Sequence, residues 1–146
     1  KGVLLSCTDI VPNLCDSSLT ENNCSKILFV TTGGMYSEVL VATRSLALEN
    51  IYSDIYSLRF IKPLDEKYFL EIAAKYDGIV FVEDGIISGG ISEYLSCLCA
   101  KNGITNFCVN AFSEKFYPNG TRAQICKLAH ISSADIKNSA LSLLKK

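Results

Sequence analysis

The sequence predicts an α/β domain built on a parallel or mostly parallel sheet flanked by helices, and three observations predict it. Short apolar runs of strand length recur along the chain, the longest clean ones being Ile27 to Val30 and Ile79 to Val82. Each leads through glycines, Gly33-Gly34 or Gly89-Gly90, into apolar residues at helical spacing. The 146 residues, 49% apolar and 20% charged, suffice for one core, so positions 1–146 are read as a single domain.

Leu4-Leu5-Ser6-Cys7 opens the chain as a short strand, because too few apolar residues precede Ser6 for a signal peptide. Asp9 to Ser25 concentrates turn formers (Pro12, Asn13, Asp16, Ser17, Ser18, Asn22, Asn23) and reads as a long variable loop. Ile27 to Thr31 is apolar and β-prone throughout, as a strand covered on both faces must be. Tyr36, Val39, Leu40, Thr43, Leu46 and Ala47 form the stripe of the next helix, and Asn50 suits the left-handed residue that ends it.

A strand around Ile55 to Leu58 and the stop at Lys62-Pro63-Leu64 precede a helix capped by Asp65, with Phe69, Ile72, Ala73 and Tyr76 on its inner face. Ile79 to Val82 then runs into Glu83-Asp84-Gly85, read as a polar turn. After Gly89-Gly90 a helix presents Ile91, Tyr94, Leu95 and Leu98 and closes at Asn102-Gly103. Phe107 to Val109 is the last strand. Thr121 to Gln124 and Ser132 to Asp135 match the capping box, so two helices finish the chain.

Candidate chemistry is sparse. Gly33-Gly34 could bring backbone N–H groups to a phosphate, but the dinucleotide fingerprint and the P-loop lysine are both missing, and tight turning is the simpler reading. Asp65, Glu66, Glu83 and Asp84 stand near the carboxyl ends of strands, where open α/β sheets bind ligands. Asp65 and Glu66 also suit a helix start by charge alone. The single histidine, His130, has no nucleophile turn around it and is placed between two helices. Cys97 and Cys99 lie in an apolar helix with sulfurs on different faces, which predicts no zinc site. The odd count of seven cysteines predicts reduced thiols and a cytoplasmic protein. A net charge of -1 with scattered lysines and arginines predicts no nucleic-acid partner, and the short apolar runs predict no membrane span.

Two stretches carry more than pattern. Leu58-Arg59-Phe60-Ile61-Lys62-Pro63-Leu64-Asp65-Glu66 and Ile79-Val80-Phe81-Val82-Glu83-Asp84-Gly85 continuing to Gly89-Gly90 resemble the C-terminal domain of transketolase-like thiamine-diphosphate enzymes. With Phe116-Tyr117-Pro118-Asn119-Gly120-Thr121 they are most similar to the 1-deoxy-D-xylulose 5-phosphate synthase family. The resemblance runs from about Lys26 to Leu144. The chain departs from that family in its longer 9–25 segment, in Gly34-Met35, in Gly89-Gly90-Ile91-Ser92, and in Asn119, where histidine is frequent.

The resemblance implies a three-layer α/β/α sandwich with a five-stranded, mostly parallel sheet and one antiparallel edge strand. It implies a parent transferase that joins pyruvate to glyceraldehyde 3-phosphate with loss of CO2, serving isoprenoid precursor and thiamine biosynthesis. Thiamine diphosphate and Mg²⁺ would be held by the missing N-terminal and middle domains of a homodimeric parent. No catalytic, cofactor-binding or metal residue is expected here, and Arg59, Lys62, Pro63, Asp65, Glu83, Gly89, Gly90 and Gly120 are motif positions of structural or interface kind. The isolated domain is expected to be inactive. The alternatives are a free-standing small-anion-binding or regulatory module, or the matching domain of a related thiamine-dependent dehydrogenase or transketolase.

Overall fold

A computed structural model describes residues 2–11 and 25–145. Its strands are β1 (Val3–Leu5), β2 (Lys26–Thr31), β3 (Tyr52–Ser57), β4 (Gly78–Ile86) and β5 (Phe107–Phe112). Its helices are α1 (Cys7–Ile10), α2 (Tyr36–Ala47), α3 (Glu66–Ala73), α4 (Ile91–Lys101), α5 (Arg122–Leu128) and α6 (Ser133–Leu143), with a 3-10 turn at Gly33–Met35. The five strands form one sheet in the order β1-β3-β2-β4-β5. β2 pairs in parallel with β3 and β4, β4 in parallel with β5, and only β1 runs antiparallel, at the edge against β3. This is the predicted mixed sheet with its antiparallel edge.

The period-two alternation of strand side chains divides the core into two layers. Ile27, Phe29, Ile55, Val80 and Val82 face α2, α5 and α6 through Val39, Leu46, Cys126, Ile136 and Ala140. Leu28, Val30, Tyr56, Ile79 and Phe81 face α3 and α4 through Phe69, Ile72, Leu95 and Cys99. Both faces of β2 and β4 are therefore covered, and this is why their sequences read as continuous apolar runs.

Local signals place most boundaries. The Asp65 side chain accepts from the Tyr68 N–H at 3.1 Å and starts α3. Both predicted capping boxes form, at Thr121/Gln124 and Ser132/Asp135, and a third at Ser6/Asp9 starts α1. Asn50, at φ 58°, and Gly103, at φ 79°, occupy the left-handed positions that follow α2 and α4. His130, at φ 57°, is the joint between α5 and α6.

Several expectations are corrected. Asp9 and Ile10 lie in α1 and Val11 caps it, rather than opening a loop, while 12–24 of the predicted 9–25 loop lies outside the described residues. Tyr76 lies beyond α3: the helix ends at Ala73, and the Tyr76 hydroxyl donates to Asp54 Oδ2 at 2.5 Å. In α4, Leu95 is buried and Ile91 and Leu98 pack on the core as predicted, but Tyr94 is exposed, and Ser92 and Cys99 are buried while Cys97 is exposed. Cys7 is disulfide-bonded, against the expectation that all thiols are reduced, whereas Cys97, Cys99 and Cys126 are free.

Glu83-Asp84-Gly85 is not a turn but the continuation of β4, which regains its pairing with β5 at Ile86↔Phe112 after an irregularity. The polar sequence is tolerated in a strand because each carboxylate finds donors outside the sheet, as the site geometry shows.

Candidate functional site at the carboxyl edge of the sheet

The parallel strands end together, and the segments that leave them form a cleft of about 500 Å³ lined by Ile61, Lys62, Leu64, Glu66, Glu83, Gly89, Gly90, Ile91 and Tyr94. Open α/β sheets hold ligands at this edge. The 61–64 stretch follows β3, Glu66 opens α3, Glu83 ends the buried part of β4, and Gly89 to Tyr94 form the entry to α4.

Glu83 organises the cleft. Only 8% exposed, it accepts from the Ile91 N–H at 3.0 Å and from the Ser92 N–H at 2.9 Å. Those amides belong to the first turn of α4, whose own N-cap, Gly90, supplies no side-chain acceptor. The carboxylate therefore does from the sheet what a capping residue does locally, with the helix dipole adding to the attraction. Gly90 is required by space: a Cβ there would stand 2.4 Å from the Ile86 carbonyl oxygen and 2.6 Å from Glu83 Oε2. Gly89 is required by conformation, at φ 78°, and its N–H donates to Glu93 Oε2 at 2.6 Å.

Across the cleft the Tyr94 hydroxyl donates to Glu66, and this bond holds the phenol above its ordinary pKa. Of the four strand-end carboxylates, Glu66 and Glu83 thus share the cleft, whereas Asp65 is spent on its own helix. Asp84, next along β4 from Glu83, pairs with Arg122 at the start of α5, at 3.1 Å and 3.3 Å. The same guanidinium lies 3.3 Å from Met35 Sδ, and a Cβ on Gly34 would come within 2.8 Å of both Arg122 and Asp84. The Gly33-Gly34 turn is therefore packed against an ion pair, and the turn reading of those glycines describes its geometry.

The motif positions separate. Lys62, Glu83, Gly89 and Gly90 meet in the cleft, Pro63 follows Lys62 through a cis peptide, and Arg59 is exposed before it. Gly120 lies elsewhere, in a second cavity of about 540 Å³ with Gln124, Lys127 and His130 among its lining residues. Sequence reasoning missed Arg122 and Tyr94. Arg122 follows a readable capping box, yet its partner is 38 residues away, and no local pattern reports that distance.

Among the described residues no group of three or more His, Cys, Asp and Glu could hold a metal ion. The α4 amides already receive a carboxylate, and the turn after β2 faces Asp84, so these two glycine segments do not fit a diphosphate with its Mg²⁺. No helix among the described residues is long and apolar enough to cross a membrane.

Comparison with known proteins identifies the family and the fold. The family model for the transketolase C-terminal domain matches residues 18–136. The 1-deoxy-D-xylulose-5-phosphate synthase of Treponema pallidum is 43% identical over 125 residues, 85% of this chain and 20% of that protein. Those of Caldanaerobacter subterraneus and Natranaerobius thermophilus are 34% and 30% identical, over 83% of the chain and 20% of their own length in each case. The chain thus spans about one fifth of these curated relatives. A solved structure described as a split gene transketolase, inactive beta4 tetramer, superposes with a TM-score of 0.75 at 16% identity, covering 84% of this chain and 40% of that one. The sheet order, the two-layered core and the matched residues together make this chain a member of the transketolase C-terminal domain family.

Proposed function

We propose that this chain is the C-terminal domain of a 1-deoxy-D-xylulose 5-phosphate synthase, and that 1–146 forms one domain of it. The parent enzyme condenses pyruvate with glyceraldehyde 3-phosphate and releases CO2. It acts as a homodimer in the cytoplasm and holds thiamine diphosphate and Mg²⁺ outside these residues. Within it this domain frames and supports the active site rather than performing chemistry. The observation that carries the reading is the 43% identity to a synthase of which the matched segment is only 20%.

The site supports the same division of labour. Glu83, Asp84 and Asp65 each have protein donors, which suits carboxylates that hold loops in place better than carboxylates that exchange protons with a substrate. Arg59, Lys62, Pro63, Asp65, Glu83, Gly89, Gly90 and Gly120 accordingly serve structure and interface. The test compares the purified 146-residue chain with the native protein, both supplied with thiamine diphosphate, Mg²⁺, pyruvate and glyceraldehyde 3-phosphate. Deoxyxylulose phosphate is expected from the native protein, at a mass about four times 16.0 kDa, and none from the chain alone. Turnover by the chain alone, or a native mass near 16.0 kDa, would overturn the reading.

A further inference from the structure

Of the eleven large apolar side chains exposed among the described residues, six share one edge of the sheet, and the other five are on β1, on α2 and its C-cap, and on α5. Phe60 and Ile61 follow β3, Ile86 and Ile87 end β4, Tyr94 is on the first turns of α4, and Phe116 follows β5. All six belong to the carboxyl edge of the sheet, and their exposures run from 45% to 105%. Some of these groups are firmly placed: the Ile87 N–H donates to the Phe112 carbonyl, and Tyr94 is tied to Glu66. Apolar side chains on one edge, beside a cleft whose carboxylates are already engaged and whose lining cation is Lys62, have the composition of an interface with an apolar centre and a polar rim.

The chain path indicates what covers that edge. β1 is antiparallel, so its first residue is at the far end from those of the parallel strands, and Val3 stands opposite Ser57, the last residue of β3. The Gly2 N–H donates to the Tyr56 hydroxyl at 3.2 Å, which fixes the entry point. Polypeptide preceding Gly2 would therefore emerge beside Ser57, a few residues from Phe60 and Ile61. Polypeptide following α6 would emerge at the other edge, where the Leu143 carbonyl accepts from Asn106 Nδ2 at 3.2 Å, just before β5.

We propose that the carboxyl edge, with Phe60, Ile61, Ile86, Ile87, Tyr94 and Phe116 as its apolar contacts, is the face on which the preceding domain of the same polypeptide docks. This rests on the reading of the chain as one domain of a longer synthase. The cleft receives side chains of that domain, beside the α4 start that Glu83 holds.

The experiment uses the native protein with Phe60→p-benzoyl-phenylalanine or Ile86→p-benzoyl-phenylalanine, irradiated and mapped by mass spectrometry. Val41→p-benzoyl-phenylalanine, on the exposed side of α2, is the control. Links from positions 60 and 86 to residues upstream of Lys1 in the same polypeptide are expected, and none from position 41. Links to a second copy, or none from either position, overturn the proposal while leaving the synthase reading intact. A native mass near 16.0 kDa overturns both. Independently, Ile86→Asp in the native protein should raise the rate of proteolysis at the junction before Lys1 about tenfold, the equivalent of one lost aliphatic contact. Val41→Asp should not, and an unchanged rate for Ile86→Asp in a folded protein counts against the docking face.

Discussion

Replacing Glu83 by alanine tests the organisation of the carboxyl edge most directly. The substitution leaves the Ile91 and Ser92 amides without their acceptor, and Ser92 is only 3% exposed, so water replaces the lost partner poorly. A hydrogen bond to a charged acceptor contributes about 1.5–3 kcal/mol, and a carboxylate at a partly buried helix N-terminus up to about 2 kcal/mol. Against these stands the relief of no longer desolvating a buried carboxylate, which cancels several kcal/mol of the gross sum. The net loss is about 3 kcal/mol, and at about 3 °C per kcal/mol for a chain of this size Tm falls by about 10 °C. Glu83→Gln keeps one acceptor oxygen but sets an amide N–H₂ against a backbone N–H, and should fall between the two. Thermal and urea unfolding of the three proteins, followed by far-UV circular dichroism, measures this. A Tm for Glu83→Ala within about 2 °C of the parent would refute the assignment of Glu83 as the cap of α4.

The neighbouring glycines separate two causes. Gly89→Ala meets no atom within 4 Å but must adopt a left-handed φ, costing about 1 kcal/mol, whereas Gly90→Ala drives its Cβ into the Ile86 carbonyl and should cost about 2–3 kcal/mol. Urea titration should rank Gly90→Ala well below Gly89→Ala, and the reverse order contradicts the packing. Burial first, and then Asp54, raise Tyr52 and Tyr76 well above the phenol's ordinary 10.0, so the folded chain keeps protons that the unfolded chain releases. That stability is complete below about pH 10 and is lost as pH rises beyond it, so Tm should be flat through pH 8–9 and fall above 10, less steeply in Tyr76→Phe. Cys99 is buried with its thiol pushed up to about 11, and Cys97 is exposed. A disulfide reagent at pH 8 should label Cys97 at once and Cys99 only as the chain unfolds, and equal rates at the two would place α4 in the wrong rotation.

The predicted strands and helices survive in the structure because their signals are local. An apolar run covered on both faces, a capping box or an asparagine suited to φ > 0 is decided by neighbours within four residues. The boundaries that moved depend on partners far along the chain. β3 begins at Tyr52 rather than near Ile55 because β2 pairs with it from Lys26 onward, and α3 releases Tyr76 to Asp54, a residue of β3. β4 runs through Glu83-Asp84-Gly85 because β5 pairs with Ile86, while α4 and α5 provide donors for the two carboxylates.

For the site, the residue types were legible and their arrangement was not. Glycines and carboxylates at strand ends announce a carboxyl edge from sequence alone, and the motifs around Arg59 to Glu66 and Glu83 to Gly90 announce the family. Alternation along β4 turns Glu83 to α4 and Asp84 to Arg122, separating two adjacent acids, while Glu66 meets Tyr94 from 28 residues away. Composition and local spacing fix which elements form, because those interactions close within a turn or a pleat. Which loop lies beside which, and so which carboxylate is a cap, a bridge or a cleft wall, is decided by strand order and register, a property of the assembled sheet.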